Sequence, residues 1–345
     1  MKRLIALLCL TGVCQPGFAQ NLVIANARII DGAGLMIESG SIVIRDGRID
    51  AIVSGPAAIT GLTRIDAEGM TALPAFIDAH RHIIRGDVES WFANEAEQRM
   101  QEFFDAGYTT LMSGGDPAPA IVELQRLIDS GALIGPRIVS AGVVRANGIT
   151  PEQGREGVRE LADAGVDIVK SFINLTDTGE ERATLAAITA EADRHGLDTM
   201  VHAVTVPAML AAVAAGADKL VHTPHDSFMT PEEARVVAEA GIENLSTIGF
   251  AVPLFGVFND DNIPTFRDGS PWPEGILGTG SNAAGEKAVN ARTLWDAGVT
   301  FGFGTDTNYL PSLGLQHELK ALNLMFSPAD ILKLMGPNTA AFIEM

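Results

Sequence analysis

His80 and His82 are separated by one residue and lie at the end of an apolar segment that the sequence predicts to be a strand. Side chains two positions apart on a strand point to the same face, so this pair can bind one cation from one side. Two further histidines, His202 and His222, and the carboxylate Asp306 end later apolar segments in the same way. Neutral imidazoles and carboxylates are preferred zinc ligands. These residue types predict a metal site.

Lys170 lies within another apolar segment, 166–173, and is one of only six lysines. Burial lowers the pKa of a lysine, and the neutral amine can react with carbon dioxide to give a carbamate. A carbamate is an anionic ligand with two oxygens that could bridge two metal ions. Taken singly, each residue has another interpretation: a strand histidine is often a hydrogen-bonded core residue, and Lys170 could pair with a buried carboxylate.

Eight apolar segments with strand character alternate with Ala- and Glu-rich helical segments after Thr71. They cover residues 75–82, 109–114, 137–144, 166–173, 198–204, 219–225, 243–248 and 299–307. Eight strands alternating with helices over about 250 residues predict an α/β fold, a (β/α)₈ TIM barrel. The C-terminal strand ends of such a barrel form its active-site face, so the barrel would bring all six candidate ligands together.

The remaining sequence predicts two segments ahead of this barrel at 74–345. Residues 20–73 carry short β-like runs separated by Asp-Gly and Gly-Pro turns, which predict a small antiparallel β module. Residues 1–19 have the charged start, short apolar run and small-residue exit of a secretory signal peptide. Cys9 and Cys14 both lie in that segment, so the exported chain would have no cysteine. We therefore expect a periplasmic or secreted protein without a stable membrane anchor.

Charge and loop composition indicate the kind of partner. The chain has 43 acidic and 24 basic side chains and a formal charge of −19, which weighs against nucleic-acid binding. The segment 250–285 is rich in Pro, Gly and aromatic residues and predicts a substrate-covering loop. A small-molecule substrate is expected, and assembly as a homo-oligomer stays open.

At these residues the chain resembles the amidohydrolase superfamily of metal-dependent hydrolases, in the branch with a carboxylated lysine and two metals. The resemblance runs from about residue 26 to the last residue. Beyond the candidate ligands, it includes the segments Asn26 to Gly32, Gly69 to Pro74, Gly135 to Arg137 and Gly157 to Glu160. Such a run is highly specific for the superfamily and less so for any one activity.

The resemblance implies two divalent metal ions, with zinc as the expected metal and carbon dioxide bound as a carbamate. The implied ligands are His80, His82 and Asp306 for the more buried ion, His202 and His222 for the second, and carboxylated Lys170 as the bridge. A hydroxide held between the ions would attack a carbonyl, while Asp306 takes and returns the proton. The implied reaction is cleavage of an amide- or peptide-type C–N bond, as in dipeptidases and prolidase-like enzymes.

The substrate of such an enzyme would be a dipeptide, an Xaa-Pro compound or an N-acyl amino acid. Arg145, His225 and Tyr309 follow the third, sixth and eighth predicted strands and could hold its carboxylate. Each of the three could equally be an ordinary loop residue. A lactonase or phosphotriester hydrolase with the same metals, or a truncated non-catalytic relative, stays an alternative.

Several features depart from the family pattern, and two of them concern the ligand strand and the β module. Arg81 places a bulky side chain between the two ligand histidines. Relatives continue past the last helix into strands that complete the β module, whereas this chain ends at Met345. We therefore expect a C-terminally incomplete β-sandwich module.

Overall fold

The computed structural model describes residues 21–57, 61–174, 179–249, 281–307 and 310–345. The chain divides into two compact units, Met1–Pro74 and Ala75–Met345. Among the described residues, no helix is both long and apolar enough to cross a membrane.

The first unit contains one five-stranded sheet. Its strands are β1 (Leu22–Ile30), β2 (Met36–Arg45), β3 (Arg48–Ser54), β4 (Thr63–Asp66) and β5 (Thr71–Ala72). Strands β1, β2 and β3 pair antiparallel, as their Asp-Gly turns predict. Strands β4 and β5 lie beside β1 in parallel, so the unit is not antiparallel throughout. Turn residues mark where a strand ends but not which sheet edge the next strand joins.

The second unit is built on parallel strands. They are β6 (Phe76–Arg81), β7 (Tyr108–Ser113), β8 (Arg137–Val139), β9 (Ala141–Val143), β10 (Ile168–Phe172), β11 (Asp198–His202), β12 (Lys219–Val221), β13 (Glu243–Leu245) and β14 (Phe301–Gly302). One sheet has the order β6-β7-β8, and a second has the order β14-β13-β12-β11-β10-β9. Each of the eight predicted strands overlaps an observed one, and the third is split at Ser140 into β8 and β9.

Helices follow most of these strands. They are α1 (Val88–Asn94), α2 (Ala96–Asp105), α3 (Ala118–Asp129), α4 (Pro151–Ala164), α5 (Gly179–His195), α6 (Val206–Ala214), α7 (Pro231–Glu239), α8 (Ser281–Asp296), α9 (Pro311–Leu322), α10 (Pro328–Lys333) and α11 (Thr339–Phe342). Helices α4, α7 and α10 begin at the capping boxes of Thr150, Thr230 and Ser327, each followed by a proline. Helix α8 already begins at residue 281, inside the segment predicted as a loop, and residues 250–280 lie outside the described part.

Side chains alternate along the parallel strands between two hydrophobic clusters. Ile168 and Met200 belong to a cluster formed mainly by strand residues, whereas Val169 and Val201 pack in the larger cluster with the helices. Because the alternation has a period of two, Lys170 and His202 face the same side as Ile168 and Met200. The pattern therefore places both polar side chains on the side of the strand cluster, away from the helices.

Candidate metal centre

The carboxylate of Asp306 lies among three imidazoles. Its Oδ1 is 3.3 Å from His80 Nε2 and 3.1 Å from His82 Nε2, and its Oδ2 is 3.7 Å from His222 Nδ1. Ligand atoms of His80, His222 and Asp306 all lie within 4.8 Å of one another, and these three residues are buried. One cation could therefore contact several of these groups at once.

Lys170 lies at the same centre. Its side chain is only 2% exposed, and its Nζ is 3.0 Å from His80 Nε2 and donates a hydrogen bond to the Gly114 carbonyl oxygen at 2.5 Å. Burial lowers the pKa of Lys170 to about 8, although the negative charges of Asp306 and Asp116 oppose that change. A substantial fraction of the amine is therefore neutral under mildly basic conditions.

His202 completes the group at the end of β11. Its ring centroid is 4.4 Å from that of His222 and 4.9 Å from that of Phe172. All six residues predicted as ligands thus form one connected cluster within and just after the C-terminal parts of the strands.

The charges of the cluster suit cation binding. Burial, together with the charge of Lys170, lowers the pKa of His80 to about 3 and that of His202 to about 4. Burial also holds the pKa of His222 well below its usual value. Burial alone would raise the pKa of Asp306, yet the charge of His80 and hydrogen bonds from His80 and His82 hold it well below its ordinary range. Neutral imidazoles beside an ionised carboxylate are compatible with a metal site.

Three residues next to or within the cluster have backbones in the left-handed region. The φ angles are 80° at His222, 47° at Thr247 and 51° at Asp306. For non-glycine residues this conformation is uncommon and costs about 1–3 kcal/mol. The fold therefore maintains an unfavourable backbone at two of the candidate ligands.

Unpaired nitrogens supply a direct test of whether the residues fit a metal. His222 Nε2 and His80 Nδ1 are buried, and neither has a hydrogen-bond partner within the described residues. Buried polar atoms are normally paired, so an unpaired buried imidazole nitrogen needs an explanation. A divalent cation bound to the His222 nitrogen satisfies that requirement, and the residues present fit such a group.

The three residues predicted to hold a substrate carboxylate differ in what is described of them. Arg145 is exposed, with its guanidinium 4.0 Å from the ring centroid of Phe172, and its charge acts on His202. The His225 backbone N–H donates a hydrogen bond to the Val204 carbonyl oxygen at 3.1 Å. His225 Nδ1 is buried with no partner among the described residues. Tyr309 lies outside the described residues, as does the signal segment 1–19.

Arg81 lies away from the ligand side of its strand. The side chain is fully buried, its guanidinium is 5.3 Å from the Phe103 ring centroid, and it donates hydrogen bonds to Thr305 (3.0 Å) and Thr307. Asp78 accepts hydrogen bonds from the Thr305 backbone (3.0 Å) and hydroxyl (2.6 Å). Arg81 therefore ties the strand of the two histidines to the segment of Asp306, instead of crowding the space between the ligands.

Supporting residues of the centre were missed by the sequence reasoning. Asp116 accepts hydrogen bonds from the backbone N–H groups of Ile83 (3.0 Å) and Ile84 (2.9 Å), which directly follow His82. Glu318 and Thr247, which lie on the His222 side, were missed as well. A usable signal was present for Asp116, a carboxylate directly after an apolar strand and two glycines.

Known proteins resemble this chain in sequence. The sequence profile of the amidohydrolase family matches residues 71–345. An imidazolonepropionase of Caldanaerobacter subterraneus subsp. tengcongensis is 31% identical over 122 residues, which are 35% of this chain and 28% of that protein. An adenine deaminase of Halalkalibacterium halodurans is 29% identical over 255 residues, covering 68% of this chain and 40% of that protein.

A solved structure extends the likeness to the fold. The structure of an Xaa-Pro dipeptidase with bound methionine matches with a TM-score of 0.76 at 23% identity, over 94% of this chain and 89% of that chain. The matches to the two curated relatives span less than half of their lengths. The family profile, in contrast, covers most of the present chain. The chain therefore belongs to the amidohydrolase family.

Proposed function

We propose that this protein is a metal-dependent hydrolase that cleaves an amide- or peptide-type C–N bond. The single observation that carries the proposal is the position of Asp306, whose Oδ1 lies within 3.3 Å of both His80 and His82. An ionised carboxylate between neutral imidazoles, with a buried lysine beside them, is suited to binding two cations and to moving a proton.

The proposed architecture is one (β/α)₈ barrel with this site at its mouth. Two sets of contacts support joining the two parallel sheets. The Ala79 N–H donates to the Phe303 carbonyl oxygen at 3.1 Å, and the Asp306 N–H donates to the His80 carbonyl oxygen at 2.8 Å. On the other side, only Ser140 separates β8 of one sheet from β9 of the other.

The candidate ligands would bind two metal ions. His80, His82 and Asp306 would hold one ion, His202 and His222 the other, and Lys170 both after carboxylation. When bound, zinc supplies Lewis acidity toward a carbonyl oxygen and lowers the pKa of water toward 7.

Proton transfer falls to Asp306. Since its pKa lies well below the ordinary range, the carboxylate is ionised at neutral pH and can accept a proton from the attacking water. The same group then returns that proton to the leaving nitrogen, which must depart as an amine.

We propose a dipeptide, an Xaa-Pro compound or an N-acyl amino acid as the substrate. Arg145 lies beside Phe172 with an exposed guanidinium, the group that binds a carboxylate in a bidentate manner. The likeness to the Xaa-Pro dipeptidase fold is compatible with such a substrate. His225 would contact the same carboxylate from the β12 side.

A substrate panel tests the proposal. Zinc-loaded protein would be assayed on dipeptides, Xaa-Pro dipeptides, N-acyl amino acids, a lactone, a phosphotriester and adenine, in parallel with Asp306→Asn. We expect turnover of at least one carboxylate-bearing amide and a loss of at least about 10³-fold in Asp306→Asn. Turnover confined to the lactone, phosphotriester or adenine would assign a different reaction to the site. Metal binding without turnover of any compound would favour a non-catalytic relative.

We further propose that the protein is exported after cleavage of residues 1–19. The support is the sequence of that segment, with Lys2 and Arg3 ahead of an apolar run. N-terminal sequencing of the protein recovered from a Gram-negative periplasm tests this, and recovery of an uncleaved cytosolic chain would contradict it.

A further inference from the structure

We propose that Thr247 and Glu318 are positioning residues that hold His222 in the orientation and tautomer needed to bind the second metal ion. The inference rests on the proposed function and deepens it. It concerns two residues that lie outside the family motifs, one after β13 and one on α9.

Thr247 acts on the ring of His222 directly. The Thr247 Oγ1 lies 2.8 Å from His222 Nδ1, and both residues are buried. If Nδ1 carries the ring proton and donates it to this oxygen, the lone pair is on Nε2. The Nε2 atom is the buried nitrogen that has no hydrogen-bond partner among the described residues. The contact therefore occupies Nδ1 and leaves for a cation the ring nitrogen that makes no hydrogen bond among the described residues.

Thr247 requires support because its own backbone is unfavourable. Its φ of 47° is uncommon for a β-branched residue, whose side chain crowds the backbone in that region. One contact that holds the segment is the Thr247 N–H, which donates to the Gly304 carbonyl oxygen at 3.1 Å. Without further contacts at residues 248 and 249, the chain would relax toward an ordinary conformation and move the hydroxyl.

Glu318 supplies those further contacts. Its Oε1 accepts the Ile248 N–H at 2.8 Å, and its Oε2 accepts the Gly249 N–H at 2.6 Å. A β-carbon at residue 249 would meet Oε2 at 3.0 Å, so the glycine permits this close approach. The carboxylate thus holds two consecutive amides directly after Thr247.

Burial raises the pKa of Glu318 to about 7, although hydrogen bonds, including those from Gly249 and Ile248, oppose the change. The residue is 1% exposed, and the buried Lys287 interacts with it electrostatically. Burying a carboxylate costs free energy unless hydrogen bonds and an opposite charge compensate for the lost hydration. The two amide hydrogen bonds and the charge of Lys287 offset the cost of burial, so the carboxyl group can hold the segment that follows Thr247 on the His222 side of the centre.

Zinc binding by purified holoprotein and its variants tests the inference. Wild type, Glu318→Gln, Thr247→Val and Thr247→Ser would be stripped with a chelator and titrated with zinc against a chromophoric competitor. Asp218→Asn serves as the matched control, because Asp218 also accepts a backbone N–H, from Thr199 at 2.7 Å, but at the opposite ends of the strands. Thermal unfolding of each stripped protein reports stability separately.

We expect two zinc ions in wild type, and a loss of about 10- to 100-fold in affinity for one of them in Thr247→Val and Glu318→Gln. Thr247→Ser, which keeps the hydroxyl, should restore most of that affinity. A variant that combines Thr247→Val with Glu318→Gln should bind zinc no more weakly than whichever of the two single variants has the lower affinity, because both changes act on one ring. Asp218→Asn should lower thermal stability and leave both affinities unchanged.

Wild-type affinity for both ions in the folded Thr247→Val and Glu318→Gln variants would overturn the inference. A loss that merely follows thermal stability, with Asp218→Asn equally affected, would overturn it as well. In both cases wild type still binds two ions, so the proposed function stands. Failure of wild type to bind any divalent ion would instead overturn the proposed function, and this inference with it.

Discussion

A β-carbon placed on Gly304 would lie 2.9 Å from the Cβ of His80, closer than real side chains approach. The segment after β14 therefore runs directly against the strand of the first candidate ligand. Two residues farther on, the Asp306 N–H donates a hydrogen bond to the His80 carbonyl oxygen at 2.8 Å. The absence of a side chain at residue 304 is thus a condition for the contact between Asp306 and the imidazoles.

We expect Gly304→Ala to separate Asp306 from His80 and to weaken zinc binding at least tenfold. The clash is with backbone-near atoms that cannot rotate away, so a loss of about 1–3 kcal/mol in the free energy of unfolding should accompany it. Zinc titration and urea denaturation measure the two effects. Gly285→Ala is the control, since residue 285 is in α8 and a β-carbon there would have no neighbouring atom within 4 Å. Equal zinc affinity in Gly304→Ala and wild type would contradict the prediction.

Lys170 should make zinc uptake depend on bicarbonate and pH. Its pKa is lowered to about 8, so the neutral amine that reacts with carbon dioxide becomes more abundant as the pH rises from 6 to 9. We expect reconstitution of the stripped protein with zinc to be faster and more complete with bicarbonate, and more so at pH 8.5 than at pH 6.5. Lys170→Ala should lose that dependence and at least about 100-fold in activity. A bicarbonate effect of equal size in Lys170→Ala would show that the lysine is not its target.

Features of this centre that follow from local sequence could be predicted, whereas features that depend on contacts between residues far apart in the sequence could not. The six candidate ligands could be selected because each lies near the end of an apolar segment, and local periodicity predicts which side of a strand Lys170 and His202 face. Parallel strands then bring these ends together without further information. The same reasoning located the eight strands to within a few residues.

The backbone exceptions could not be found in that way. The pairing of β6 with β7 changes register between Asp78 and Arg81. Ala79 packs in the cluster of strand residues, although its neighbour His80 contacts Lys170. The positive φ at His222 likewise interrupts simple alternation. Such irregularities are held by contacts from elsewhere in the chain, such as the Thr305 N–H bound by Asp78 over 227 residues of separation. No local pattern encodes a contact of that kind.

Arg145 should affect substrate binding more than chemistry. Its guanidinium lies over Phe172 and is exposed, so replacement with methionine keeps the apolar contact and removes the charge. We expect Arg145→Met to raise KM at least tenfold for substrates with a free carboxylate, with a much smaller change in kcat and little effect on the corresponding amides. Arg137→Met, an exposed arginine at the start of β8, is the control. An equal KM change for acids and amides would exclude carboxylate binding.

A charged pair lies at the N-terminal ends of β11 and β12, and its effect on stability should depend on pH. Lys219 is buried and contacts Asp198, and its Nζ lies 3.1 Å from Glu344 Oε1. Burial works to raise the pKa of Asp198, but hydrogen bonds with Glu344 and Lys219 and the charge of Lys219 lower it below 3.8. A carboxyl group with a lowered pKa stabilises the fold above its unfolded pKa, and this contribution disappears as the pH falls through the folded value.

Asp198→Asn should therefore lower the free energy of unfolding by about 1–2 kcal/mol at pH 5–8, a modest figure because the carboxylate is partly exposed. The difference from wild type should shrink below about pH 4, where the unfolded chain takes up the proton first, and should disappear as the pH falls through the lowered pKa of the folded state. Urea denaturation at pH 3, 5 and 7 measures it, and zinc affinity should stay unchanged because the pair lies away from the metal centre. A difference that grows as the pH falls would contradict the assignment of Asp198 as the ionised partner of Lys219.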